Sequence, residues 1–384
     1  MAKDVKENSG SPINMERELT PKEAIAILEE MVKIQRPVML WGQPGIGKSE
    51  LVEQLAKKLG RKMIDIRLLI MDPTDLRGIP YKRKNPVTGD EEMVWAPPIC
   101  FPRDPNDTSI ILLDEITAAP ASVQAAALQL VLNRKIGEYE LPAGVSIIAA
   151  GNRESDKTAA QKMPSALANR FIHLPIGFNL DSWKEWAFTN EIHPHVLGFL
   201  TAFPAMANTF NPKNNYKTFA TPRTWAFVSQ ILKSSLPEDL LMDVVAGTVG
   251  EGAALQFRTH RNHAAKLPNP DDVLLGKVEK LNDDAKDISI QHSLSVSLIY
   301  RLNQFHQTVD RKTAGETLTL KDWYKLADNF VKFIDHNFEP EIAMMAINVC
   351  IKDPFKLPFS NLTMPSHKVF FGKNHRLFKG INSV

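Results

Sequence analysis

The stretch that most constrains this chain is Gly42-Gln43-Pro44-Gly45-Ile46-Gly47-Lys48-Ser49, which fits the spacing G-x-x-x-x-G-K-[ST]. Gly42, Gly45 and Gly47 allow backbone turns that a Cβ would block, so successive N–H groups point inward at an anion. Pro44 and Ile46 complete the same loop. Lys48 brings a flexible point charge to the outer phosphates of a nucleotide such as ATP, and the Ser49 hydroxyl is a ligand for Mg2+. The flanks supply the context the motif needs. Pro37 to Trp41 is a short apolar run suited to a buried parallel strand. Leu51, Val52, Leu55, Ala56 and Leu59 then recur at helical spacing, with Gly60 as a stop. Strand, glycine-rich loop and helix aim a helix N-terminus at phosphate.

A second signal lies downstream. Ser109 to Leu113 is apolar and ends in Asp114-Glu115. A parallel strand delivers its last side chains to the carboxyl edge of the sheet, where the phosphate loop also sits. Asp114 there suits the Mg2+ shell, and Glu115 suits orienting or deprotonating an attacking water. Val145 to Ala150 is another buried strand, ending at Gly151-Asn152. The Asn152 amide carries a donor and an acceptor for water and γ-phosphate, or it is a turn asparagine. Pro164 to Arg170 reads as a short helix before a last strand, Phe171 to Leu174. Arg170 is either a charge on the helix C-terminus or a finger reaching a neighbour's nucleotide. Thr221-Pro222 opens a helix and puts Arg223 in its first turn, where a cation opposes the dipole. A phosphate would explain Arg223; so would solvation.

Around these signals, Thr20-Pro21-Lys22-Glu23 reads as a capped helix start. That helix ends at Lys33 to Arg36, either beside an adenine or simply packed. Met63 to Arg67 is a second strand, and Met71 to Pro80 has no clear period. Tyr81 to Asp90 is charged, with a hairpin tip at Thr88-Gly89-Asp90 and a return strand at Glu92 to Trp95. Pro120 to Leu132 is a helix, and Lys135 to Gly144 a second hairpin. From about residue 178 the pattern becomes helical without strands, including a helix at Thr319 to His336. The tail interleaves Phe355, Phe359, Phe370, Phe371 and Phe378 with Lys356, Lys368, Lys373, Arg376 and Lys379. It reads as a contact for nucleic acid or a partner, or as a packed tail with a basic face. His193, His195, His260 and His263 have no companion ligands, so core or solvated histidines are expected rather than a metal site. A net charge of +2 over 384 residues excludes a global basic field. Cys100 and Cys350, far apart, imply no disulfide framework and a reducing cytoplasm. The charged start has no apolar run behind it and reads as no secretory leader; no apolar run reaches membrane-spanning length.

Taken in order, Gly42 to Ser49, Ile110 to Glu115, Asn152, Arg170 and Thr221-Pro222-Arg223 resemble the AAA+ ATPases. Asp75 to Gly78, the Trp95-Ala96-Pro97-Pro98 exit and the second hairpin resemble the MoxR-type branch, over roughly residues 20–260. The resemblance implies an α/β fold: a P-loop αβα core on a five-stranded parallel sheet, then an α-helical lid and further C-terminal helices. It implies a core at 20–177 with hairpins inserted near 75–96 and 136–144 and a lid at 178–264; the polar residues 1–19 read as a flexible start, and 265–384, which the resemblance does not match, as a C-terminal helical extension and basic tail. It implies roles: Asn152 as polar sensor, Arg170 as finger in trans, Arg223 as lid sensor. It also implies a ring, commonly a hexamer, a chaperone-like remodeller of protein clients, and a von Willebrand factor A partner. A nucleic-acid motor or loader of the same fold, resting on the basic tail and Lys82-Arg83-Lys84, is the alternative. Arg153 departs from the branch, where proline is common after the sensor asparagine.

Overall fold

Alternation along short apolar strands builds a sheet buried on both faces. The computed structural model describes residues 17–156, 163–214, 216–264, 267–282, 287–309, 318–352, 355–360 and 363–379. The expected flexible segment therefore lies outside the described residues up to position 16, as do the side chains of Arg376, Phe378 and Lys379. Two units are distinguished: Met1–Asn179 with Asn211–Lys213, and Leu180–Phe210 with Asn214–Val384.

The strands of the first unit are β1 (Val38–Trp41), β2 (Met63–Arg67), β3 (Ile79–Lys84), β4 (Glu91–Ala96), β5 (Ile110–Asp114), β6 (Lys135–Ile136), β7 (Tyr139–Glu140), β8 (Ser146–Gly151) and β9 (Ile172–Pro175). Its helices are α1 (Pro21–Lys33), α2 (Lys48–Leu59), α3 (Pro73–Arg77), α4 (Ala121–Asn133) and α5 (Ser165–Ala168). Five strands form one parallel sheet in the order β2-β5-β8-β1-β9. Successive residues point to opposite faces. Val38, Leu40, Ile110, Leu112, Ile148 and Ala150 meet Leu28 of α1 and Leu51, Val52 and Leu55 of α2. Met39, Ile111, Leu113, Ile147 and Ala149 meet Val123, Ala127 and Leu130 of α4 and Leu167 of α5. The result is the αβα sandwich that the resemblance implies.

Two antiparallel hairpins, β3–β4 and β6–β7, are inserted into this sandwich. The β3–β4 tip has Gly89 at φ 78. The aperiodic stretch after β2 contains the five-residue helix α3, too short to show a period; the Asp72 N–H donates to Asp75 Oδ2 at 2.8 Å. The end of α1 packs at the amino edge of the sheet, where the Gln35 side-chain amide donates to the Ala143 carbonyl. Lys33 to Arg36 are exposed there.

The second unit is helical among its described residues: α6 (Leu180–Thr189), α7 (Pro194–Ala202), α8 (Pro222–Ile231), α9 (Glu238–Val249), α10 (Glu251–Ala264), α11 (Pro270–Leu274), α12 (Ile288–Thr308), α13 (Leu320–Asn337), α14 (Pro340–Ile351) and α15 (Pro365–Lys379). Packing of α7 along α12 is close at Gly198, where a Cβ would lie 2.7 Å from the Ser293 Cα. Trp225 is fully buried and donates its indole N–H to the Met206 carbonyl at 2.8 Å. The tail aromatics are packed: Phe370 is buried, and Phe359 lies against Trp323, Phe330 and His367. Lys373 pairs with Asp335 at 3.0 Å.

Candidate functional site

The site is built at the carboxyl edge of the sheet, where β1, β5 and β8 end. β1 runs into the glycine-rich loop, with Gly45 at φ 76 and Gly47 at φ 98, the left-handed backbone that turns the N–H groups inward. Gly47 caps α2, whose first residue is Lys48. The Lys48 ammonium donates to the carbonyls of Gly42 at 2.7 Å and Gln43 at 3.0 Å, and to Asn152 Oδ1 at 2.9 Å. Ser49 Oγ donates to Asp114 Oδ2 at 2.7 Å. Glu115 follows β5 at φ 56 with an exposed side chain, and its N–H donates to Asp114 Oδ1 at 2.9 Å. Loop lysine, loop serine, both strand-end carboxylates and Asn152 thus converge on one edge.

The two remaining arginines come from other elements. Arg170 lies two residues past α5, not at its end as the sequence suggested. Ile172 of β9 pairs with Val38, the first residue of β1, so Arg170 is at the amino edge of the sheet. Four residues of strand, roughly 13 Å at about 3.3 Å each, separate it from the edge carrying the loop. Its side chain is exposed and has no partner among the described residues. Arg223 belongs to the second unit, exposed in the first turn of α8, which Thr221 caps by accepting the Thr224 N–H at 3.2 Å.

Three contacts beside the site escaped sequence reasoning because nothing local marks them. Thr117 is buried and donates to the Asn152 carbonyl at 3.4 Å, which sets the turn after β8. Arg153 reaches Glu18 at 2.6 Å and the Ile176 carbonyl at 3.3 Å, tying that turn to the segment before α1. Trp41, next to the loop, donates its indole N–H to His173 Nδ1 at 2.8 Å.

The inserted hairpins are joined to each other. The Trp95 N–H donates to Glu138 Oε2 at 2.9 Å, and the Tyr139 hydroxyl holds the segment after β4 by donating to the Pro102 carbonyl at 2.6 Å. Burial pushes the Tyr139 phenol up to about 12. The base of β6–β7 is held by Arg134, which donates to the carbonyls of Pro142 and Val145 at 2.7 Å each. Cations of β3 meet acids of β4: Lys82 with Glu91 at 3.0 Å and Arg83 with Glu92 at 2.8 Å. Val87 at the tip is 90% exposed and Ile99 beyond β4 is 98% exposed.

The histidines of the second unit do not converge on a metal site. His193 caps α7 by accepting the His195 N–H at 3.2 Å, and burial pushes both rings down to about 4. Groups of three or more His, Cys, Asp or Glu able to hold a metal are absent among the described residues. So is any helix long and apolar enough to cross a membrane.

The fold and the site are those of a P-loop ATPase. Residues 37–171 match the family described as AAA domain, dynein-related subfamily, and the chain carries such a domain. A curated relative is Midasin from Giardia intestinalis, 26% identical over 184 residues. That alignment spans 45% of this chain and 4% of Midasin, so the chain represents a small part of that protein's length. Among solved structures, NtrX from Brucella abortus in complex with ADP is 14% identical, with 75% of this chain and 64% of that chain covered and a TM-score of 0.37. A Thermotoga maritima RuvB mutant is 13% identical, with 85% and 87% covered and a TM-score of 0.32. At those scores the structural likeness carries no argument about what this chain does.

Proposed function

We propose that this chain hydrolyses ATP in a ring of identical subunits, hexameric in the manner of the MoxR-type branch, and uses the resulting movement to remodel a protein client. The observation that carries the reading is the division of the machinery between two edges of one sheet. The phosphate loop, Asp114, Glu115 and Asn152 share the carboxyl edge, whereas Arg170 stands at the amino edge with no side-chain partner among the described residues. A strand's length keeps that guanidinium from its own cradle, so it serves a neighbour's γ-phosphate.

Within one cradle, ATP replaces the carbonyl and amide partners now held by Lys48 with phosphate oxygens. Ser49 Oγ and Asp114 Oδ2, 2.7 Å apart, are hard oxygen donors of the kind Mg2+ accepts alongside retained waters. Mg2+, when bound, supplies charge neutralisation at the outer phosphates. Glu115 orients the attacking water and accepts its proton, and Asn152 holds the γ-phosphate by its amide. Arg223 reports the nucleotide to the helical unit, with residues 178–264 acting as a lid and 265–384 as an extension.

A protein client is favoured over nucleic acid by the inserted hairpin. Two of its cations, Lys82 and Arg83, are paired with acids, and its tip and exit present the exposed Val87 and Ile99. Such an edge suits apolar polypeptide; a partner with a von Willebrand factor A domain, as in the MoxR branch, is the expected adaptor. The test is ATP turnover per subunit as protein concentration rises, with particle mass measured in parallel. Turnover that climbs with assembly and saturates supports sites completed between subunits. Full turnover by a monomer overturns the reading.

A further inference from the structure

The indole of Trp41 and the ring of His173 are stacked, 5.8 Å between centroids and 17° between planes. Trp41 Nε1–H donates to His173 Nδ1, and His173 Nε2 lies 2.8 Å from the Ala168 carbonyl oxygen. An indole nitrogen only donates and a carbonyl oxygen only accepts. His173 is therefore the neutral ring with its proton on Nε2, accepting from one side and donating to the other. Trp41 is the residue before Gly42, the first of the phosphate loop. Ala168 is the last residue of α5, two before Arg170, and its carbonyl, at a helix end, accepts the Phe171 N–H at 3.2 Å as well as the imidazole. The pairing is a diagonal one across β1 and β9, since Met39 is opposite His173 and Trp41 opposite Pro175.

We propose that His173 is a positioning residue that ties Arg170 to the phosphate loop of its own subunit. The finger offered to a neighbour then depends on the nucleotide state of the subunit that offers it. A shift of the loop on binding or release of phosphate moves Trp41. The hydrogen-bonded ring carries that shift to the end of α5, and the two-residue turn to Arg170 follows. This inference rests on the reading of Arg170 as a finger in trans.

The test is subunit mixing. Glu115→Gln subunits have a silent site but an intact finger; Arg170→Ala subunits have an intact site and no finger. Mixed, they should recover turnover that neither has alone. The finger donor is then changed to Glu115→Gln with His173→Phe, which keeps an aromatic ring and removes both hydrogen bonds. Recovery should drop roughly three- to tenfold, the effect of a lost hydrogen bond. A donor with His173→Gln, whose amide still donates toward Ala168, should recover nearly as well as the original. His173→Phe placed instead in the Arg170→Ala subunit should leave recovery unchanged, a donor-only asymmetry that general destabilisation does not produce. If His173→Phe prevents folding, Trp41→Phe in the donor removes the indole N–H from the other end and should give the same drop. Equal recovery with the altered and unaltered donors, or no rescue by His173→Gln, overturns the proposal while the trans finger stands. No recovery in the first mixture overturns the trans finger itself, and this proposal with it.

Discussion

Glu115 sits at φ 56, one residue past β5. For a residue with a Cβ that backbone is unfavourable by about 1 kcal/mol, and asparagine tolerates it better than glutamate. Glu115→Asn should therefore relieve on the order of 0.5–1 kcal/mol of strain. The backbone N–H that donates to Asp114 Oδ1 at 2.9 Å is untouched by the change. In a unit of this size the gain corresponds to a melting temperature higher by roughly 1–4 °C. The same substitution removes the carboxylate that we propose orients water, which should lower turnover about 100-fold or more. Stability and turnover thus move in opposite directions. Glu115→Gln separates the two effects, because it loses the carboxylate and keeps the strain. The assay is thermal unfolding of nucleotide-free protein beside steady-state turnover at saturating ATP and Mg2+. If Glu115→Asn melts no higher than Glu115→Gln, the strain reasoning is wrong. If it keeps more than about a tenth of wild-type turnover, the assignment of Glu115 is wrong.

Arg170→Ala should abolish turnover while nucleotide affinity, read with a fluorescent ATP analogue, stays nearly intact; an equal loss of both would make Arg170 a packing residue. Tyr139→Phe removes a buried 2.6 Å hydrogen bond to the Pro102 carbonyl. It should cost about 1–2 kcal/mol and raise hydrogen exchange around residues 97–103; unchanged exchange would mean that Tyr139 does not hold the segment after β4. His193 and His195 are held near 4 by burial, whereas in the unfolded chain they titrate near the ordinary 6.5. Between those values the unfolded chain binds more protons, so stability falls as pH drops from about 6.5 toward 4, by on the order of 1–3 kcal/mol for the pair. Melting of the protein should shift downward from pH 7 to pH 5, and His195→Asn should flatten the shift; a flat wild-type profile would contradict it.

The parts of this molecule that were legible in sequence are those whose chemistry is contiguous. A phosphate cradle needs glycines, a lysine and a serine in fixed succession, and Gly42 to Ser49 has them. Buried parallel strands need apolar runs, and Val38 to Trp41, Ile110 to Leu113 and Ser146 to Ala150 supply them. Hairpins declare themselves by turn residues, as at Gly89. The five-residue α3 was not legible, since a single turn carries no period. The strand order was not legible, because no local pattern says that β5 lies between β2 and β8. The left-handed backbone of Glu115 was equally hidden: glutamate is not a residue that announces positive φ.

The connections between functional parts are hidden for a deeper reason. Lys48 finds Asn152 across more than a hundred residues, and Thr117 finds the carbonyl of that same asparagine. Both contacts depend on which strands are neighbours. His173 depends on register as well. Side chains alternate along a strand, so moving the histidine to position 172 or 174 would turn it to the opposite face of β9. Such a chain would keep the phosphate loop, the Asp114-Glu115 pair, Asn152 and Arg170. It would lose the hydrogen bonds that join Trp41 to the end of α5. Two relatives could thus share every motif and still differ in how one site's nucleotide influences the next. That difference lies in the pairing of β1 with β9, which no motif search reads.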